Sequence, residues 1–170
     1  MSKPVIVCPY DPRWPEAFAQ IRQELEAALG ELITAIEHVG STSVPGLAAK
    51  PIIDIDVVIP DASVFPEVVQ RLHDIGYLHE GDLGIKDREA FRYERKPHLQ
   101  QHHLYVCPQS SQELHRHITF REYLRNHPEE AKVYGAVKLE GARRYPSSIE
   151  EYMRHKSACI ETLYRACGLQ

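Results

Sequence analysis

One stretch of this sequence has residue types and spacing suited to phosphate chemistry. It reads His38-Val39-Gly40-Ser41, then twelve residues, then Asp54-Ile55-Asp56-Val57. In a strand, successive side chains face opposite sides, so Asp54 and Asp56 share one face while Ile53, Ile55 and Val57 share the other. Two carboxylates about 7 Å apart along one strand face repel unless solvent or a cation separates them. Oxygen ligands of this kind suit Mg2+ or Mn2+, which keep several waters and also bind substrate phosphates. Upstream, Gly40 lets the backbone approach a phosphate closely, and Ser41, Thr42 and Ser43 offer amides and hydroxyls to its oxygens. A short helix beginning near Ser43 would add its N-terminal dipole. An Asp-x-Asp strand or a Gly-Ser turn alone is commonplace. Their order and spacing in one strand–turn–helix–strand context point to a phosphate–metal site.

The elements that must position these residues follow from periodicity and punctuation. After Asp11-Pro12, the spacing of Trp14, Phe18, Ile21, Leu25 and Ala28 predicts a helix that stops at Gly30. Leu32 to Val39 reads as a strand, Gly40 to Lys50 as loop with at most a short helix, and Pro51 to Ile59 as a strand stopped by Pro60. Val64 to Ile75 predicts an amphipathic helix ending at Gly76. Phe91 to Lys96 and His102 to Cys107 read as an antiparallel hairpin with Pro97 in its turn. Three helices follow, at about 112–126, 129–142 and 148–167, the last opening on an S-x-x-E capping box at Ser147 and closing on Gly168. The expected fold class is α+β. The expected layout is a core at 1–110 and a helical extension at 111–170 packed on it as one structural unit.

The motifs carry a family resemblance. Val39-Gly40-Ser41 followed by Asp54-Ile55-Asp56 resembles the signature of polymerase-β-like nucleotidyltransferases. More closely, HVGSTSVPGLAAKPIIDIDV resembles the GrpB family, which is also seen fused behind dephospho-coenzyme A kinase in some bacteria. The resemblance continues through QHHLYV (residues 101–106) and FREYLR (residues 120–125) to Tyr134, Lys138, Tyr152 and Lys156, nearly the whole chain. It implies a nucleotidyltransferase fold, a small mixed sheet with helices on one face. It also implies that Gly40 and Ser41 hold nucleotide phosphates and that Asp54 and Asp56 ligate the metal. Active members of the superfamily add a third carboxylate from a later strand; the candidate strand here offers His103 and Tyr105 on that face instead. His103 then has two open roles, ligand for Mn2+ or Zn2+, or general base for an acceptor hydroxyl.

The expected function is metal-dependent transfer of a nucleotidyl group from a nucleoside triphosphate to an unknown acceptor, with Asp54, Asp56 and His103 as the catalytic residues. A catalytically silent nucleotide-binding or interaction module of the same fold is the second reading, and a phosphoesterase using His103 the third. Lys50, just before the Asp strand, and Arg92, on the predicted hairpin, are candidate phosphate contacts beside Thr42 and Ser43. Lys156 on the last helix is a weaker one.

Composition limits the alternatives. Lys and Arg number 20 against 24 Asp and Glu, a net charge of −4 over 170 residues. That balance argues against nucleic acid as a general partner, though it leaves room for a local basic groove. No apolar run approaches the ~20 residues of a membrane span, so no membrane partner is expected and the cytoplasm is the expected location. Cys8, Cys107, Cys159 and Cys167 form no CxxC pair and read as ordinary thiols. The ten histidines include His98, His102, His103, His115 and His117 in mid-chain, at spacings that match no common zinc signature. All but His103 read as solvated or hydrogen-bonded.

Overall fold

The computed structural model describes residues 3–169. Five strands, β1 (Ala35–Val39), β2 (Ile53–Ile59), β3 (Leu78–Gly81), β4 (Glu89–Arg92) and β5 (His102–Pro108), form one mixed sheet in the order β1-β2-β5-β4-β3. The helices are α1 (Trp14–Leu29), α2 (Phe65–Asp74), α3 (Gln112–Asn126), α4 (Pro128–Arg144) and α5 (Ile149–Ala166). The fold class is the expected α+β. Two compact units emerge: one is Arg13–Gly40 with Ile52–His117, and the other holds the residues up to Pro12, Ser41–Pro51 and the chain from Ile118 onward.

The first, the sheet unit, is organised by β2. Its run of β-branched residues suits a central strand, and β2 pairs antiparallel with β1 and parallel with β5. Ile53, Ile55 and Val57 are fully buried. So are Ile21, Leu25 and Leu29 on α1 and Val68 and Leu72 on α2, the helical stripes of the same unit. Pro15 and Pro66 sit in the first turns of α1 and α2, where a missing amide costs nothing.

The second, the helical unit, has its own core of Val44, Leu47, Leu124, Ala131, Tyr134 and Leu163. Gly141 on α4 allows close approach of α5, since a Cβ there would lie 2.8 Å from His155 and 3.0 Å from Tyr152. Ser148, not Ser147, caps α5: its hydroxyl accepts from the Glu151 amide at 3.2 Å, so the S-x-x-E run that marks the helix start is Ser148-Ile149-Glu150-Glu151.

Other boundaries differ from expectation for local reasons. Gly30–Leu32 forms a 3-10 turn, so β1 begins at Ala35 rather than Leu32. Between Gly40 and Lys50 there is one 3-10 turn, Ser41–Ser43, and no helix starting near Ser43. The predicted dipole contribution there is therefore lost. β4 ends at Arg92 instead of Lys96 because the next side chains are used differently. The Tyr93 hydroxyl accepts from the His102 amide at 3.0 Å, and Lys96 Nζ donates to the Ile75 carbonyl at 2.5 Å. The hairpin of β4 and β5 is antiparallel as expected, pairing Glu89 with Val106 and Phe91 with Leu104.

Candidate functional site

In the sheet unit, β2 and β5 run side by side in register, pairing Asp54 with His103 and Asp56 with Tyr105. Paired residues of adjacent strands share a face, so all four side chains lie on one side of the sheet. Leu104 and Val106 are buried on the other. His103 Nδ1 lies 3.0 Å from Asp54 Oδ1, and the histidine side chain is 51% exposed. The chain turns into this face at Gly40, which follows β1 directly, with φ +74. A Cβ at Gly40 would collide with Asp54 Oδ2 and lie 3.0 Å from Asp54 Cβ and Cγ. Glycine is therefore required twice over, for its left-handed backbone and for the carboxylate lying against it.

Asp56 behaves differently from Asp54. It is fully buried, and its Oδ2 lies 2.6 Å from His117 Nδ1. The other ring nitrogen of His117 lies 3.1 Å from Glu113 Oε1, one turn earlier on α3. Burial raises the Asp56 carboxyl above its ordinary value; the bond to His117 and that residue's charge only partly offset this, and Asp54's charge adds to it. Burial alone would lower His117, yet the bond to Asp56 and the charges of Asp56, Glu113 and Asp54 outweigh it and raise the imidazole. The Arg88 guanidinium lies 4.2 Å from the centre of the Tyr105 ring and also helps hold Asp56 ionised.

Glu113 and Arg88 are not among the residues singled out from sequence, and His117, read there only as a solvated or hydrogen-bonded histidine, is bonded to Asp56. Helical spacing does place Glu113 and His117 on one face at i and i+4. Nothing local says that this face meets Asp56, more than fifty residues earlier. Arg92 is exposed at the end of β4, one residue past the last β4–β5 pair. Of the mid-chain histidines, His103 and His117 meet the Asp54–Asp56 pair, whereas His98 and His102 bond elsewhere. His98 binds Glu24, His102 binds the Tyr77 hydroxyl, and His103 binds Asp54.

In the helical unit, Ser41, Thr42 and Ser43 form the tight turn, and Thr42 and Ser43 are buried. Lys138 Nζ donates to Ser41 Oγ at 2.7 Å, and Arg125 Nε donates to the Ser43 carbonyl at 3.0 Å. The side-chain bond between Ser41 and Tyr134 ties the same hydroxyl to α4. Lys50 Nζ and Lys156 Nζ lie 5.6 and 4.8 Å from the centre of the Tyr152 ring. Burial, with Lys50's charge second, pulls Lys156 down to about 8.

The donor chemistry on the sheet face fits a divalent cation through two carboxylates. Among the described residues, Asp56 Oδ1 is a buried oxygen with no hydrogen-bond partner, and Asp54 stands two residues away on the same face. Hard cations such as Mg2+ are commonly held by one or two carboxylates together with substrate phosphates. No three His, Cys, Asp or Glu side chains among the described residues converge as a closed metal cluster. The four cysteines are all free, and burial pushes the Cys107 thiol up to about 12. No helix among the described residues is long and apolar enough to cross a membrane.

Comparison with known proteins agrees with this architecture. Among the solved structures that share the fold, two illustrate it. The conserved protein GrpB from Enterococcus faecalis superposes with a TM-score of 0.82 at 37% identity, covering 95% of this chain and 96% of that one. The Cid1 poly(U) polymerase bound to MgATP gives 0.58 at 9% identity, over 80% of this chain and 44% of that one. The second likeness shows a nucleotidyltransferase-like fold and nothing finer. Among curated relatives, the UPF0157 protein YqkA of Bacillus subtilis is 35% identical over 153 residues, 90% of this chain and 44% of its own length. The UPF0157 protein PA4798 of Pseudomonas aeruginosa is 39% identical over 156 residues, 91% of this chain and 64% of its own length. The chain thus spans less than two thirds of either relative. The family model described as GrpB protein matches residues 4–166, and with that coverage the chain belongs to the GrpB family.

Proposed function

We propose that this protein is a metal-dependent nucleotidyltransferase, acting on a nucleoside triphosphate and an acceptor hydroxyl. The observation that carries this reading is the pairing of Asp54 and Asp56 on one face of β2 with His103 bonded to Asp54 from β5. Asp54 and Asp56 would hold Mg2+ or Mn2+, which would neutralise phosphate charge and orient the reacting groups. His103 is oriented by Asp54 through Nδ1, leaving Nε2 of a half-exposed ring to take the acceptor's proton. The phosphate side of the reading rests on Gly40, on Ser41 as the next residue of the chain, and on Arg92 at the end of β4. The likeness to a polymerase bound to MgATP supports it at the level of fold.

One observation favours a second reading, a nucleotide-binding module without turnover: the β5 positions beside Asp54 and Asp56 carry His103 and Tyr105 in place of a carboxylate. An assay with α-labelled triphosphates, Mn2+ or Mg2+ and a mixture of hydroxyl-bearing acceptors separates the two. The transferase reading expects labelled product and pyrophosphate, reduced at least ~10²-fold by His103→Ala, the low end for a lost acid–base group. Nucleotide binding that persists with no product, with or without His103, favours the silent module.

A further inference from the structure

Asp56 is the one carboxylate of the pair that solvent does not reach, and its two oxygens are treated differently. Oδ2 is engaged by His117 Nδ1 at 2.6 Å, whereas Oδ1 has no partner among the described residues. The histidine is itself fixed at its far side, where Nε2 meets Glu113 Oε1 at 3.1 Å. Glu113 and His117 stand one turn apart on α3, a helix of 15 residues, so the ring is gripped at both nitrogens by groups on regular elements. A ring held at both ends cannot rotate without breaking a bond, and the carboxylate it holds cannot either.

From this we propose that His117, braced by Glu113, is a positioning residue that fixes Asp56 by Oδ2 and leaves Oδ1 as its oxygen for a divalent cation. The proposal rests on the metal-dependent reading above and adds two residues to it. Neither His117 nor Glu113 ligates the cation. Partners that orient a ligand in this way typically change metal affinity 10–100-fold when removed.

The test is Mn2+ uptake by the full chain, followed by the loss of the free-ion electron paramagnetic resonance signal, with no nucleotide present. His117→Ala is expected to weaken Mn2+ binding at least tenfold. His117→Gln, which can still donate to Asp56, should recover part of that loss. Glu113→Gln should weaken binding several-fold, since the brace loses its charge and keeps its length. A long-range 1H–15N correlation of the His117 ring adds a readout that needs no metal. A proton on Nδ1 is expected in the wild type, and an unprotonated Nδ1 would overturn the proposal. If His117→Ala fails to fold, His117→Gln and Glu113→Gln decide. Equal Mn2+ affinity in the wild type and both of these variants would overturn the positioning role alone. A wild type that takes up no Mn2+ would overturn the metal reading and this proposal with it.

Discussion

Gly40→Ala probes the close approach of the chain after β1 to Asp54 on β2, and its cost can be worked from geometry. Gly40 has φ +74, and left-handed backbone costs a non-glycine residue roughly 1–2 kcal/mol. The new Cβ would also collide with Asp54 Oδ2 and press on Asp54 Cβ and Cγ at 3.0 Å. The carboxylate must turn away, at about 0.5–1.5 kcal/mol for an off-rotamer side chain. It also forfeits part of its bond to His103, which contributes about 0.5–1.5 kcal/mol. The sum is about 2–5 kcal/mol. Urea denaturation of the wild type, Gly40→Ala, Asp54→Ala and the double variant in metal-free buffer measures both parts. In the Asp54→Ala background the collision with the carboxylate is gone, so the cost of Gly40→Ala should fall to roughly the backbone share of 1–2 kcal/mol. An identical cost in both backgrounds, or a cost below about 0.5 kcal/mol in the wild type, would refute the close-approach reasoning.

Other outcomes follow from the same geometry. Because Asp54's charge adds to the burial that raises the Asp56 carboxyl, Asp54→Asn, which relieves that repulsion and leaves the Asp56–His117 bond in place, should leave stability unchanged or raised in EDTA; a loss above about 2 kcal/mol would mean the Asp54 carboxylate is structural. His103→Ala should change the unfolding free energy by no more than about 1.5 kcal/mol, the contribution of its bond to Asp54 on a side chain that is 51% exposed, so any large effect on turnover is chemical. Lys156 is pulled from the ordinary 10.5 down to about 8, so its stabilising neutral form is fully present above 10.5 and is lost as pH falls through about 8. The advantage of Lys156→Met over the wild type should therefore be greatest below pH 8 and shrink toward pH 10.5, by at most about 3 kcal/mol before discounting for the part of the side chain that solvent reaches. A pH-independent difference between the two unfolding curves would remove that reading.

Much of the architecture is written in local pattern. β2 is legible because Ile53, Ile55 and Val57 alternate with two aspartates between a proline on each side, and the helices because apolar stripes and caps mark them. β3 was not legible: Leu78–Gly81 is four residues long with His79 and Glu80 exposed, so it carries almost no hydrophobic alternation. The candidate site divides in the same way. Asp54, Asp56 and Gly40 follow from spacing within one segment, and His103 from strand alternation once β5 is placed beside β2. His117, Glu113 and Arg88 depend on tertiary placement of α3 and of the chain before β4, which no residue near them encodes. The Ser41–Ser43 turn shows the same limit: spacing marks its hydroxyls, but not that Lys138, far along the chain, donates to Ser41 Oγ or that Thr42 and Ser43 are buried.

The most direct test of the central claim, that Asp54 and Asp56 form a metal-dependent nucleotide site, is thermal unfolding with nucleoside triphosphates in the presence and absence of Mg2+ or Mn2+. The expected result is stabilisation that needs both nucleotide and metal, reaching about 2.7 kcal/mol at a hundred times the dissociation constant, and absent in the Asp54→Asn, Asp56→Asn double variant. No shift with any triphosphate under either metal, or an equal shift in the double variant, would contradict it.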